Sequence, residues 1–168
     1  PGAFPGAGDA VASKATSRTN IRAKMGTVLS ITGGARLTIQ GGLAGIYNIM
    51  FDHDGTAGGT ALSFQGGQTV MEEIVIFGSS NAGANLGVGA ALGASLVWSA
   101  VSLIAHCDLG VVGRQGGDMT LSSTMVVTYC ANGVDFSAAN FNASGASTMS
   151  IAQCTTAGLN TGDNGLIF

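Results

Sequence analysis

The segment 102–158, SLIAHCDLGVVGRQGGDMTLSSTMVVTYCANGVDFSAANFNASGASTMSIAQCTTAG, contains three copies of one short pattern. The copies are Ile104-Ala105-His106-Cys107 with Gly110, Val127-Thr128-Tyr129-Cys130 with Gly133, and Ile151-Ala152-Gln153-Cys154 with Gly158. Each copy begins with a β-branched residue, has a cysteine three positions later, and is followed by a glycine. Recurrence at a near-constant interval is the signature of a repeat protein, whose units pack on their neighbours.

The pattern continues toward the N-terminus in a weaker form. Ile49-Met50-Phe51-Asp52 precedes Gly55, and Ile76-Phe77-Gly78-Ser79 precedes Gly83. The leading residues Ile49, Ile76, Ile104, Val127 and Ile151 are therefore 27, 28, 23 and 24 positions apart. This quasi-period predicts five copies of one structural unit in the second and larger part of the chain.

The unit is predicted to consist of strands. Helical repeats need amphipathic helices of about ten residues or more, and this chain is rich in Gly, Thr, Ser and β-branched residues, which disfavour helix. Short apolar runs separated by Gly and Asn are typical of strands and tight turns. The predicted strands are residues 27–31, 36–40, 46–52, 61–65, 73–77, 95–98, 102–107, 120–122, 125–130 and 147–154.

A coil of this length with two or three short strands matches one turn of a parallel β-helix, in which like residues stack about 4.8 Å apart. The leading residues then form an inward aliphatic ladder. Cys107, Cys130 and Cys154 form a second inward ladder of reduced thiols, because buried cysteine behaves as a small hydrophobe; Asp52 and Ser79 continue this column. The turn glycines, which we expect to supply a positive φ after each bend, are Gly55, Gly83, Gly110, Gly133 and Gly158.

This recurring Ile-x-x-Cys pattern with a turn glycine resembles the right-handed parallel β-helix of pectate-lyase-like proteins and of phage tailspikes and tail fibres. The resemblance covers about residues 37–168 and is one of architecture. It implies an elongated prism, often trimeric in the phage proteins, with substrate or receptor carbohydrate bound on a lateral face. A β-sandwich or jelly roll remains an alternative fold.

Charge divides the chain into two parts. Residues 1–36 carry a net charge of +4 and the rest −7, because five of the six basic residues and only one acid, Asp9, precede residue 37; the basic residues are Lys14, Arg18, Arg22, Lys24 and Arg36. We predict a flexible N-terminal linker or attachment segment over 1–36, which contacts other components of an assembly, and a β-helix segment over 37–168 that is part of a longer chain. The acidic body argues against nucleic-acid binding, which needs clustered Lys and Arg.

Charged residues make up only 9% of the chain, against about 25% in ordinary soluble domains. Such a surface is solvated poorly and is expected to be covered by other copies of the chain, three copies being preferred. The uncharged stretch 86–105 is long enough to span a bilayer. Membrane helices are typically flanked by Lys or Arg, and this stretch is not. We therefore predict no membrane span.

Few residues are candidates for chemistry. Adjacent Glu72 and Glu73 point to opposite faces of a strand, and Asp52-His53-Asp54-Gly55 lacks the remaining ligands of a calcium loop. Trp98 is the only tryptophan, whereas carbohydrate sites generally use several aromatic side chains. His106, Tyr129 and Gln153 fall in one column, which predicts a lateral stack. The sequence predicts no catalytic residue, metal site or cofactor and identifies no ligand-binding residue.

Three classes of function remain. The leading one is a structural and receptor-binding segment of a phage tail fibre, tailspike or similar virion appendage, located on the virion or outside the cell and contacting host carbohydrate. The second is a β-helical polysaccharide depolymerase, with Asp52, Asp54 and Asp108 as its candidate carboxylates. The third is a bacterial surface adhesin rod. The scattered acids and the few aromatic residues favour the first class over the second.

Overall fold

Short strands joined by tight bends make up the whole of the described chain. A computed structural model describes residues 2–4, 10–12, 20–32, 36–41, 45–54, 60–78, 86–161 and 166–167. In chain order the strands are β1 (Gly2–Phe4), β2 (Ala10–Ala12), β3 (Asn20–Ile31), β4 (Arg36–Gln40), β5 (Gly45–His53), β6 (Thr60–Gln65), β7 (Gln68–Glu72), β8 (Val75–Gly78), β9 (Leu86–Ala91), β10 (Ser95–Trp98), β11 (Ser102–Ala105), β12 (Leu109–Arg114), β13 (Asp118–Leu121), β14 (Thr124–Thr128), β15 (Asn132–Ser137), β16 (Asn140–Ala143), β17 (Thr148–Ala152), β18 (Ala157–Thr161) and β19 (Leu166–Ile167). These residues contain no helix.

Every strand pairs in parallel with strands of the neighbouring coils. Face 1 is the seven-stranded sheet β2, β4, β6, β9, β12, β15 and β18. Face 2 contains β7, β10, β13, β16 and β19, and face 3 contains β1, β8, β11, β14 and β17. β3 and β5 run across the corner between faces 2 and 3 and join them into one sheet of twelve strands.

The chain passes through faces 1, 2 and 3 in turn. β4 and β5 form the first coil, and β6–β8, β9–β11, β12–β14 and β15–β17 form the next four, after which β18 and β19 begin another. The predicted all-β parallel solenoid of about five coils is confirmed. The uncharged stretch 86–105 supplies the three strands of the third coil, and nowhere in the described part of the chain is a helix long and apolar enough to cross a membrane.

The sheets also extend to the N-terminal side of the boundary predicted at residue 37. β2 pairs with β4, and β3 pairs with β5 on either side of a bulge between Arg22 and Thr27. A basic segment can add strands in this way because pairing uses the backbone N–H and C=O groups, which nearly every residue carries. Lys14 and Arg18, also assigned to the attachment segment, lie outside the described residues.

The aliphatic ladder runs along the inner side of face 3. Ile76, Ile104, Val127 and Ile151 lie in register, and the first three are fully buried. Ile49 is not in this column: Phe51 pairs with Ile76, and Ile49 lies two residues earlier, level with Ile74. A slip of two residues keeps the same side of the strand facing the core, so the apolar pattern alone could not exclude the predicted alignment.

The bend between faces 3 and 1 is made by residues other than the predicted glycines. His106, Tyr129 and Gln153 adopt the left-handed conformation, with φ of 58°, 53° and 53°. Gly110, Gly133 and Gly158 do not have a positive φ, so their predicted role is wrong; they lie inside β12, β15 and β18. Gly55 and Gly83 lie outside the described residues.

These glycines are needed because they point into a crowded core. A Cβ atom at Gly110 would lie 2.5 Å from the carbonyl oxygen of Gly133 and 2.8 Å from a methyl carbon of Val127. A Cβ atom at Gly133 would meet Gly158 and Ile151 at 2.7 Å in the same way. The glycine column therefore makes room for the aliphatic ladder of the next coil.

Candidate interaction surface

The cysteine column lies next to the aliphatic ladder, inside the bend between faces 3 and 1. Cys107 and Cys130 are buried, Cys154 is half-buried, and all three are free thiols. Each thiol donates a weak hydrogen bond to the carbonyl oxygen two residues earlier, at 3.4–3.6 Å. Asp52 does not belong to this column, because it pairs with Phe77, two residues before Ser79.

The environment of these thiols limits their reactivity by different routes. A hydrogen bond with the Cys107 thiol lowers the pKa of the Cys130 thiol, but that side chain is fully buried. A hydrogen bond with the Cys130 thiol, together with burial, raises the pKa of the Cys107 thiol far above its usual range. Burial also raises the pKa of the Cys154 thiol. Since the thiolate is the reactive form, the column has the character of a packing element.

The candidate carboxylates are not gathered into one site. Asp52 points outward from β5, and Asp54 follows two residues later on the same side. Asp108 follows β11, two strands further along the axis, so it lies at least about 10 Å from Asp52. No group of three or more metal-binding side chains occurs among the described residues.

The other predicted candidates are also dispersed. Trp98 is fully buried in β10 and cannot present its ring to a sugar. Glu72 is outward on face 2 and accepts a hydrogen bond from the Ser99 hydroxyl at 2.9 Å. Glu73 has a φ of 54° and forms part of the bend between faces 2 and 3. These residues act in the fold or on the solvated surface.

Aromatic side chains line the outside of the bend between faces 3 and 1. The rings of His106 and Tyr129 stack with their centroids 5.0 Å apart and their planes 1° from parallel, which confirms the predicted lateral stack. Phe77 extends it, 5.7 Å from His106. We call Phe77, His106 and Tyr129 the aromatic ladder. Because the rings cover each other's faces, the ladder presents mainly ring edges to its surroundings.

The outward side of face 3 carries a column of apolar side chains, one from each of four successive coils. We call this the apolar column; it consists of Met50, Val75, Leu103 and Val126. All four side chains are half-buried. Asp52 is the one charged residue on the outward side of this face among the described strands.

Face 2 presents a different surface in the same geometry. One outward column, which we call the polar column, consists of Gln68, Ser95, Asp118 and Asn140. The Asn140 amide donates a hydrogen bond to the Asp118 carboxylate at 2.7 Å. At the other end of these strands, the hydroxyl groups of Ser122 and Ser144 are 3.1 Å apart. Face 2 thus presents small hydrogen-bonding groups on either side of a half-buried pair of valines, Val70 and Val97.

Face 1 combines both characters. The Arg114 guanidinium forms an ion pair with Asp135 at 2.5 Å, and the Asn160 amide donates to the other carboxylate oxygen at 3.2 Å. Nearer the bend from face 3, Leu86 and Leu109 stack in register and are half-buried. The apolar surface of face 3 therefore continues around the bend onto face 1.

The chain matches no protein-family model, no curated protein and no solved structure. The parallel β-solenoid and its three chemically distinct faces are therefore the basis of the function proposed below.

The apolar column was missed by the sequence analysis although the sequence contains a signal for it. Val75, Leu103 and Val126 come directly before the ladder residues Ile76, Ile104 and Val127. In a strand with one solvated side, the residue next to an inward residue is expected to be polar. Paired apolar residues at this position indicate that both sides of the strand are suited to burial.

Proposed function

We propose that this chain is a structural and receptor-binding segment of a virion or other extracellular appendage, of the phage tail-fibre or tailspike kind. The observation that supports this most directly is the regular surface. Outward side chains of successive coils form columns on each face, while the candidate carboxylates are dispersed among them. Stacked coils supply length and a repeated surface, which are the properties that a spacer or attachment protein needs.

The proposed activity is binding without turnover. Hydrolysis of a glycosidic bond uses two carboxyl groups held about 5–10 Å apart across the bond. Asp52 and Asp108 lie two strands apart along the axis, which separates their Cα atoms by about 10 Å or more, and Trp98 is buried. Asp52 and Asp54 are close in sequence but lie side by side on one strand, so they do not flank a groove.

Within this proposal, the polar column of face 2 contacts host-surface carbohydrate. Amide and hydroxyl groups can both donate hydrogen bonds to sugar hydroxyl groups and accept them, and a carboxylate accepts them. Gln68, Asp118 and Asn140 are exposed, so they can exchange water for a ligand at small cost. The chain itself forms homo-oligomers, preferably trimers, and the basic residues of segment 1–36 contact other components of the appendage.

Electron microscopy and glycan binding test this function. We expect a short rod in a homo-oligomer and binding to bacterial surface polysaccharide on a glycan array. The double variant Asp118→Ala/Asn140→Ala should weaken binding at least about tenfold, which corresponds to about 1.4 kcal/mol. Asn160→Ala, which removes an exposed amide from face 1, is the matched control and should bind normally.

Other outcomes would replace the proposal. Release of new reducing ends from capsular polysaccharide or lipopolysaccharide, abolished in Asp52→Asn or Asp54→Asn, would establish the depolymerase. A monomeric rod that binds host material would favour the adhesin. Absence of polysaccharide binding by the assembled protein would contradict the receptor-binding role and leave only that of a spacer.

A further inference from the structure

One edge of the solenoid, the bend between faces 3 and 1, carries apolar side chains on both flanks. The apolar column lies on its face 3 side, and Leu86 and Leu109 lie on its face 1 side. The aromatic ladder lies on the bend itself, where Tyr129 is 43% exposed. We call this surface the apolar edge.

We infer that the apolar edge is the surface by which parallel copies of this chain associate in a closed ring. The inference rests on the homo-oligomer of the proposed function and names the interface that holds it. Each copy places its face 3 flank against the face 1 flank of the next copy. The two contacting surfaces are different, so the contact is heterologous and closes when the rotation between copies is a fraction of a full turn.

A second copy fits this surface because it has the same repeat. The column presents one apolar side chain per coil, about 4.8 Å apart along the axis. A neighbouring solenoid with a parallel axis presents its own side chains at the same interval. Each side chain of one copy can therefore lie between two side chains of the other. The match extends over the four coils of the apolar column on one flank and the two coils that carry Leu86 and Leu109 on the other, whereas a globular partner has no such repeat.

The area of the edge favours a ring over a simple pair. Six successive strands, each about five residues long on face 3, give a flat area of about 450 Å²; they are β3, β5, β8, β11, β14 and β17. A stable interface buries about 800 Å² on each partner. One flank-to-flank contact falls short of this value, but a chain in a ring buries both flanks of its edge, one against each neighbour, and is held by two contacts at once. Three copies make the smallest ring in which each chain uses both flanks.

The distribution of charge distinguishes this contact from an electrostatic one. Asp52, Asp54 and Asp108 border the apolar edge, and a ring of parallel copies brings these like charges toward each other. Salt screens their repulsion, so association should strengthen as the ionic strength rises. A contact between the basic segment 1–36 and the acidic body of another copy would weaken under the same conditions.

The other exposed apolar side chains do not form a comparable surface. Leu92 and Val101 are 59% and 62% exposed, but Leu92 stands at the bend between faces 1 and 2 and Val101 at the bend between faces 2 and 3. Each is a single side chain without an apolar neighbour in the same column. Isolated apolar residues of this kind are normal on protein surfaces.

A pair of lysine substitutions tests the assignment in the full 168-residue chain. Val126→Lys places a charge in the middle of the apolar column, and Val97→Lys places the same charge at a half-buried, outward valine of face 2. Light scattering should give the unaltered protein a mass of about three chains of 16.5 kDa. Val126→Lys should weaken association at least about tenfold, while Val97→Lys should leave the mass unchanged.

Circular dichroism must show that both variants keep the strand content of the parent. If Val126→Lys stays fully assembled, or if Val97→Lys dissociates equally, the apolar edge is not the interface. If the unaltered chain is monomeric at tens of micromolar, the proposed oligomer itself fails. Loss of assembly in Val126→Lys together with an absence of glycan binding would support the edge and contradict only the receptor role.

Nitration of tyrosine provides a second measurement that needs no variant. Tyr129 should react with tetranitromethane at least about tenfold more slowly in concentrated, assembled protein than after dilution to single chains. Equal nitration rates at both concentrations, with the change of mass verified by light scattering, would overturn the inference even if a lysine variant failed to fold.

Discussion

The middle coils and the C-terminal end of the solenoid share the same columns, but the columns are covered to different extents. On face 1, one inward column consists of Leu62, Val88, Val111, Val134 and Leu159. Its first four members are at most 1% exposed, and Leu159 is 52% exposed. On face 3, Ile104 and Val127 are fully buried, whereas Ile151 is half-buried.

Burial in this solenoid therefore comes from the neighbouring coil. A single coil is too thin to enclose its own inward side chains, so each residue depends on the strand above it and the strand below it. Stability in such a protein is a sum of contacts between adjacent units. The same substitution should therefore have a large effect in a middle coil and a small effect at the C-terminal end.

The largest contrast is expected for the glycine column. Gly110→Ala should lower the free energy of unfolding by about 3 kcal/mol, because the new Cβ would overlap backbone and Val127 in a packed core. Gly158→Ala should change it by less than about 0.5 kcal/mol, since a Cβ there meets only Ile151, at 3.5 Å. Urea unfolding of both variants measures the difference. Equal losses of unfolding free energy would show that contact with the next coil is not what excludes side chains from the glycine column.

A similar contrast is expected when the same side chain is shortened at two levels of one column. Leu62→Ala should cost about 2.5 kcal/mol, since it leaves a cavity in a fully buried site. Leu159→Ala should cost less than about 0.5 kcal/mol, because the side chain is largely exposed. Thermal unfolding followed by circular dichroism compares them. A large loss for Leu159→Ala would mean that another chain or segment covers this end in solution.

The cysteines allow the comparison to be made without a substitution. Under native conditions a maleimide should modify Cys154 at least about tenfold faster than Cys107 or Cys130, because the reagent can reach the half-buried thiol and not the two buried ones. The raised pKa of the Cys154 thiol lowers its thiolate fraction. The rate at which maleimide modifies Cys154 should therefore keep increasing above about pH 8.5, the usual pKa of a free thiol. Peptide mapping identifies the modified residue.

Thiol titration supplies the control for this experiment. In denaturant without a reducing agent, three thiols per chain should be found. A titre of one thiol would reveal a disulfide and contradict the packed column of reduced cysteines. Equal native reactivity of all three cysteines would contradict the difference in burial between the middle coils and the end.

The smallest effect is expected for the outward columns. Asn140→Ala removes a hydrogen bond to Asp118 on exposed face 2 and should cost about 0.5 kcal/mol, because water replaces most of the lost contact. Ser150→Ala, at an exposed position of β17, should cost still less. Urea unfolding measures both losses. A loss of unfolding free energy in either variant larger than that of Leu62→Ala would show that the outward columns hold the coils together.

Strand prediction succeeded for β5, β8, β11, β14 and β17, which supply face 3, and failed for most strands of faces 1 and 2. The predicted strands 36–40 and 95–98 coincide with β4 and β10. β9, β12 and β15 were missed because their sequences LGVGAA, LGVVGR and NGVDFS contain glycine, which was interpreted as a turn signal. In the structure, the first glycine of each strand faces the aliphatic ladder, and a side chain there would collide with the next coil.

The alternation of apolar and polar residues and the interval of about two dozen residues were enough to predict a parallel solenoid with an inward ladder. The register was not determined by the sequence, because a shift of two residues leaves the same side facing the core; this is why Phe51 occupies the position predicted for Ile49. The residues that make the bends were also decided by packing. His106, Tyr129 and Gln153 adopt the left-handed conformation at a bend where the backbone N–H groups of His106 and Tyr129 donate to the next coil. The neighbouring glycines are required by the space that the next coil occupies.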